Sequence, residues 1–185
     1  MREYHETSRQ LIDLSNIKFS GRILDIGGGG EGIISQHSGD GVVAIDKRAD
    51  ELAETPDVGT KIIMDACSLN FLDDYFDNIT SFYTLMYMDE HQIEQFLKEA
   101  YRVSKENAIL WIWDTVIPVE KNADVFVAQL EVKVSETKTI MTGYGVGWNK
   151  CQSLSIIKEF CEKVGFVYEE GCENGDLISL RLRKK

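Results

Sequence analysis

Residues Arg22 to Gly32 read RILDIGGGGEG: a short apolar run, a carboxylate, then five glycines in six positions. Ile23, Leu24 and Ile26 have the character of a buried strand, and glycines directly after a strand let backbone N–H groups approach a ligand with no side chain between. Gly27, Gly29 and Gly32 also satisfy GxGxxG, so nucleotide binding is the first expectation. That motif is weak alone, and its surroundings have to decide.

Downstream, VVAID forms a second buried run ending at Asp46, nineteen residues after Gly27. An acidic residue at the tip of the second strand at this separation meets ribose hydroxyls in mononucleotide folds. KIIMDA reads as a third strand ending at Asp65, and Asn78 to Thr84, NITSFYT, as a fourth. Asp89 is the expected N-cap of a helix in which Ile93, Phe96, Leu97, Ala100 and Tyr101 form an i, i+3, i+4 stripe. AILWIWD, Ala108 to Asp114, is apolar on both faces, as a strand covered by helices should be, so Trp111 and Trp113 are read as core. Strand and helix alternation of this kind predicts a doubly wound, mostly parallel α/β sheet.

Beyond Thr115 the pattern changes to a β-hairpin. Phe126, Ala128, Leu130, Val132 and Val134 alternate with polar residues, a turn follows near Ser135-Glu136, and TKTIMT leads into the glycine and aromatic loop GYGVGW, Gly143 to Trp148. A helix from about Ser153 to Val164 then stops at Gly165, and FVYEEGC and DLISLRLR, joined through Asn174-Gly175, predict a closing antiparallel hairpin. Upstream of the glycines, Tyr4, Ser8, Leu11, Ile12 and Ser15 fall at helical spacing, which predicts an N-terminal helix or lid within residues 1–20.

Composition bounds the rest. A chain of 185 residues with 43% hydrophobic side chains is expected to form one domain, 1–185. A net charge of −11 disfavours nucleic acid and favours a small or cationic partner. Cys67, Cys151, Cys161 and Cys172 lack metal-ligand spacing, so no metal site is expected and the cysteines read as small core hydrophobes. With neither a signal peptide nor an apolar run of membrane-spanning length, a cytoplasmic protein without membrane contact is expected.

From Arg22 to Asp114 the chain resembles the class I S-adenosylmethionine-dependent methyltransferases, and looks most like the small single-domain ones acting on small molecules. That family's first strand ends in an acid two positions before the first glycine, and ILDIGGG supplies Asp25, Gly27 and Gly29. NAD-dependent oxidoreductases usually carry an apolar residue in place of Asp25. The resemblance implies a Rossmann-like seven-stranded sheet closed by an antiparallel C-terminal hairpin, with S-adenosyl-L-methionine as cofactor. It implies that Asp25 with Gly27, Gly28 and Gly29 faces the methionine part and that Asp46 with Lys47 holds the ribose. Asp65 and Ala66 would lie beside the adenine, and Ser81 and Phe82 near the sulfonium. Residues Thr84 to Tyr87 would stand at the substrate mouth. The chain departs from the family in having Met86 and Tyr87 where many relatives carry a histidine, and Glu31 where the third glycine of the turn is usual.

No catalytic base stands out; His5, Tyr87 and Tyr144 are the candidates. Tyr87, Tyr144 and Trp148 are expected to contact the acceptor, with residues 115–150 forming a cap over it or, if the hairpin's exposed face is apolar, a homodimer contact. The expected function is methyl transfer to a small molecule. The alternatives are a non-catalytic S-adenosylmethionine-binding or interaction module and an NAD-dependent oxidoreductase.

Overall fold

In the computed structural model, which describes residues 2–185, the chain enters not through a helix but through two short strands, β1 (Tyr4–Glu6) and β2 (Gln10–Asp13). The helical spacing of this segment is overridden by a stricter alternation. Gln10, Ile12 and Leu14 are buried while Leu11 and Asp13 face out, and Leu11 stays 67% exposed. A period of two suits a strand, and the backbone partners lie more than a hundred residues away.

The apolar run before the glycines is β3 (Ile23–Ile26), with all four residues buried. It is followed by α1 (Ile33–Ser38), β4 (Val42–Asp46), α2 (Ala49–Glu54), β5 (Thr60–Ile63), β6 (Phe76–Phe82) and α3 (Glu90–Val103). Then come β7 (Ser104–Thr115), β8 (Val125–Ser135), β9 (Lys138–Gly147), α4 (Leu154–Val164), β10 (Phe166–Asn174) and β11 (Leu177–Lys184). Seven strands form one sheet in the order β10-β11-β7-β6-β3-β4-β5. The five from β7 to β5 are mutually parallel, and β11 and β10 close the sheet antiparallel. This is the expected doubly wound α/β fold with its C-terminal hairpin.

A second sheet is built on β8. β1 and β2 both pair with it in parallel, and β9 pairs with it antiparallel. Residues Gly143 to Gly147 therefore belong to β9 rather than to a loop. Their glycines fall at alternate positions on the exposed side, while Tyr144 and Val146 point inward, so the run satisfies strand periodicity without bulk on its outer face. That outer face mixes apolar Tyr4, Leu11, Val125, Val127 and Met141 with polar Gln129, Glu131 and Lys133.

Two apolar clusters cover the two faces of the main sheet. On one, Phe96, Leu97 and Ala100 of α3 and Ile157 and Cys161 of α4 pack against Leu110, Ile112 and Leu180. On the other, Phe126, Leu130 and Val132 of β8 and Ile33 and Ile34 of α1 pack with Phe82, Tyr83, Trp113 and Trp148. Helix α3 starts where the sequence places it. Asp89 accepts from the Gln92 N–H at 2.8 Å, and the Gln92 side chain accepts from the Asp89 N–H at 3.0 Å, a reciprocal capping box. Asp89→Ala is expected to lower unfolding stability by about 1 kcal/mol without altering ligand binding, as read from urea denaturation.

Candidate functional site

The carboxyl ends of β3, β4, β5 and β6 open onto a cavity of about 950 Å³, within the usual range for ligand sites and large enough for a nucleotide-sized ligand with a small partner. The glycine turn forms its floor. Gly27 has φ +70°, and a Cβ there would lie 2.4 Å from Thr84 Oγ1, whose hydroxyl donates to the Ile26 carbonyl at 3.0 Å. At Gly29 a Cβ would lie 2.6 Å from Glu51 Cβ and 3.0 Å from Asp46 Oδ2. A side chain at either position would collide with these neighbours, and at Gly27 the positive φ disfavours one as well, which is the physical reason the tract is glycine. The turn is tied down by the Gly28 N–H, which donates to the Ile45 carbonyl at 3.0 Å, and by the Gly30 N–H, which donates to the Glu51 carbonyl at 2.9 Å.

Asp46 ends β4 at the cavity wall. Its Oδ1 accepts from the Arg48 N–H at 2.9 Å, and its other oxygen stands over Gly29. Lys47, Asp65 and Ala66 also line the cavity; Asp65 lies two residues past the end of β5, where its Oδ1 accepts from the Cys67 N–H at 2.8 Å. Ile45 and Met64 supply apolar surface beside these carboxylates.

Asp25 and Gly28 are set behind the cavity wall rather than in its lining. The Asp25 carboxyl is buried beneath the turn, where a Cβ on Gly28 would come within 2.5 Å of it, and it accepts from Thr80 Oγ1 at 2.7 Å. Burial pushes this carboxyl up to about 7, against the lowering effect of the Thr80 hydroxyl and with a smaller upward push from Asp46. Ser81 is likewise buried behind the lining, with its hydroxyl unpaired, whereas Phe82 reaches the cavity.

The opposite end of the cavity lies where β6 ends. Tyr83 sits there with φ +51°, a left-handed backbone that a bulky residue adopts only when its surroundings compel it. They do: its N–H donates to the Trp113 carbonyl at 2.8 Å, and its hydroxyl donates to Gln10 Oε1 at 2.5 Å. Thr84 then leads into a 3-10 turn, Leu85–Tyr87, that presents Tyr87 at the mouth. That turn is held from both sides. Asp114, fully buried, accepts from the Leu85 N–H at 2.9 Å and from Gln152 Nε2 at 2.7 Å, and Lys150 Nζ donates to the Leu85 and Met88 carbonyls at 2.6 Å each. Burial raises the Asp114 carboxyl to about 6 in spite of these bonds.

From the second sheet, Gly143, Tyr144 and Gly145 reach over the cavity. The Tyr144 hydroxyl donates to Glu31 Oε2 at 2.8 Å, and the Thr142 hydroxyl donates to Glu31 Oε1 at 2.5 Å. A residue standing in place of a glycine thus joins the turn to the second sheet. Glu31, Tyr83 and this contact are the site features that sequence reasoning missed; the carboxylate interrupting the glycine run was the one available signal.

Two expected site residues lie elsewhere. Trp148 is 3% exposed, its Nε1 donates to the Pro118 carbonyl at 3.0 Å, and it packs edge-on to Phe126. His5 stacks on Phe126 and tilts against Trp148, away from the cavity. Both side chains are used to seal β1 against β8, so neither Trp148 as an acceptor contact nor His5 as a base fits this geometry. Among the described residues no histidine lines the cavity, and no three His, Cys, Asp or Glu side chains are grouped to hold a metal ion. Burial raises the Tyr83 and Tyr144 phenols well above their ordinary value, so both remain protonated near neutral pH.

Residues 24–112, from β3 into β7, match the family model described as a methyltransferase domain. No curated protein is significantly similar in sequence. Among solved structures, an S-adenosylmethionine-dependent methyltransferase from Methanosarcina mazei superposes with a TM-score of 0.63 at 18% identity, over 91% of this chain and 94% of that one. One from Mesorhizobium loti gives 0.61 at 14% identity, over 89% and 91%. The cyclase SpnF gives 0.66 at 16% identity, over 92% and 77%. These likenesses are in fold. Together with the family match over the parallel strands and a glycine cradle that admits no side chain, they identify residues 24–112 as a methyltransferase domain carried on the fold of the S-adenosylmethionine-dependent methyltransferases, and they support S-adenosylmethionine as its cofactor.

Proposed function

We propose that this protein transfers a methyl group to a small-molecule acceptor bound between the end of β6 and the second sheet. The observation that supports this reading most is one continuous cavity with Gly27, Gly29, Asp46 and Asp65 at one end and Tyr83, Tyr87 and Tyr144 at the other. In this reading Asp46 accepts the two ribose hydroxyls and Asp65 an adenine N–H, because a carboxylate offers acceptors to both. Ile45, Met64 and Ala66 pack on the purine. Asp25, from beneath Gly28, braces the turn that carries the methionine portion. When bound, the cofactor supplies an activated methyl carbon.

The protein's task is then alignment and exclusion of water, for which the second sheet serves as roof. Residues 1–20 contribute β1 and β2 to that roof as parts of a single domain, 1–185, and Gln10 of β2 holds Tyr83 in place. A phenol held protonated does not act as a base, so Tyr83 and Tyr144 shape the acceptor pocket and leave deprotonation to the acceptor or to water.

A second reading, cofactor binding without methyl transfer, has one observation in its favour: a cyclase shares the fold at a TM-score of 0.66, so the fold alone does not fix the reaction. Calorimetric titration with S-adenosylmethionine, its demethylated product and NAD tests the site. Binding of the first two without NAD is the expected result, and tight NAD binding alone would overturn it. Incubating the loaded protein with a panel of small acceptors and following the demethylated product separates transfer from binding alone.

A further inference from the structure

The two ends of the cavity lie over different strands. Asp46 and Asp65 stand at the tips of β4 and β5, whereas Tyr83 follows β6, two to three strand spacings away in the order β6-β3-β4-β5. At about 4.8 Å per strand this is about 10–14 Å, so the aromatic end is a subsite of its own. Its polar inventory is short. The Tyr83 hydroxyl is committed to Gln10, and the Tyr144 hydroxyl to Glu31, with the two rings 5.6 Å apart at 32°. Tyr83 is 2% exposed, so what faces the subsite is chiefly the Tyr144 ring, the half-exposed Tyr87 side chain and the Glu31 carboxylate.

Glu31 is held firmly but is not neutralised. Both its partners, Thr142 and Tyr144, are uncharged hydroxyls, and among the described residues no ion pair includes it. Two bonds leave lone pairs available on a carboxylate. Of the cations lining the cavity, Lys47 stands beside Asp46, and Arg48, which acts electrostatically on Tyr87, is already paired with Asp50 at 2.5 Å and with Glu51 at 2.9 Å. An anionic acceptor would therefore meet like charge at Glu31, with the nearby Arg48 already matched by two carboxylates. Tyrosine faces attract a cation within about 6 Å, and a carboxylate alongside adds a charge-assisted hydrogen bond. The net charge of −11 draws the same class of molecule toward the protein.

We propose that the acceptor is a small amine that binds in its cationic form, its ammonium group held against the faces of Tyr87 and Tyr144 and the Glu31 carboxylate. It releases one proton to water at the mouth, and the neutral nitrogen then takes the methyl carbon as the carbon–sulfur bond breaks and S-adenosylhomocysteine leaves. The proposal rests on the methyltransferase reading above and narrows it to a substrate class. It also gives Glu31 a reason to stand where a glycine is usual: the turn that carries the cofactor also carries the charge that selects the acceptor.

The test uses the protein saturated with S-adenosylhomocysteine and measures binding of benzylammonium and n-butylammonium against benzyl alcohol, n-butanol, benzoate and butyrate by saturation-transfer NMR. Both ammonium probes should bind, with the alcohols and carboxylates weaker by about tenfold or more. Glu31→Gln should weaken the ammonium probes by about tenfold and change S-adenosylhomocysteine affinity by less than about twofold. Tyr87→Leu, at a side chain 49% exposed, should weaken them by about threefold with no change in melting temperature, a check that does not depend on Glu31→Gln folding normally. Equal binding of the carboxylates or alcohols, or no binding of either ammonium probe, would overturn the proposal. So would an equal loss of S-adenosylhomocysteine affinity in Glu31→Gln, because the carboxylate would then serve the cofactor's own amino group. Failure of the wild-type protein to bind S-adenosylhomocysteine at all would remove the methyltransferase reading and this proposal with it, whereas normal cofactor binding without ammonium selectivity would remove this proposal alone.

Discussion

Replacing Asp46 by alanine is expected to weaken S-adenosylmethionine binding by about 1.5–3 kcal/mol, or about 10- to 150-fold, with the protein still folded. The magnitude is that of hydrogen bonds to a charged acceptor. One oxygen of Asp46 is occupied by the Arg48 N–H, and the other stands over Gly29 at the cavity wall. Asp46 is only half-buried at the end of β4, outside the apolar clusters. Its removal therefore costs the fold little beyond the local turn before α2. Calorimetry on the variant, with a melting curve on the same sample, checks both halves of the expectation. Unchanged affinity in a folded Asp46→Ala protein would mean that the ribose hydroxyls are held by something else.

The second large effect concerns Asp25 and appears in stability rather than binding. Its carboxyl is raised from 3.8 to about 7 in the folded protein, chiefly by burial. The folded state therefore keeps a proton that the unfolded chain has released. The stability this contributes is complete below about pH 4 and is lost as pH rises through about 7. A rise of that size amounts to about 4 kcal/mol. Asp25→Asn is neutral at every pH and keeps an oxygen to accept from Thr80, so it carries no such loss. Wild type minus Asp25→Asn stability should fall by about 3–4 kcal/mol between about pH 4 and 8, leaving the variant the more stable protein at the alkaline end. Urea denaturation of the ligand-free proteins across that range measures it. The rise at Asp114 and the lowered carboxyls of Asp77, Glu99 and Glu169 are common to both proteins and cancel in the difference. A difference independent of pH would show that Asp25 is ionised in the fold across the whole range.

How much of this was legible in the chain varies with the distance over which each contact acts. The glycine turn, Asp46 at the tip of β4, the capping box at Asp89, the Gly165 stop and the closing hairpin at Asn174-Gly175 all follow from neighbours within a few residues. The N-terminal strands do not. Segments of three and four residues are too short for helical and strand periods to separate, and β1 and β2 are decided by hydrogen bonds to β8, on the far side of the whole parallel sheet in sequence. The same distance hid Trp148, whose burial depends on β1 and β8 meeting around it, and the continuation of β9 through Gly143–Gly147.

The sequence by itself determined the parallel strands, the glycine floor and the carboxylates at the strand tips, because backbone conformation, capping and hydrophobic period are local properties of consecutive residues. Only the tertiary structure decided which side chains face one another across the cavity. Tyr83 takes a left-handed backbone because Trp113 and Gln10 hold it, Tyr87 is aimed by Asp114 and Lys150, and Glu31 finds Thr142 and Tyr144 more than a hundred positions away. Those pairings exist only once two sheets have packed on each other, and no pattern along the chain encodes the angle at which they do.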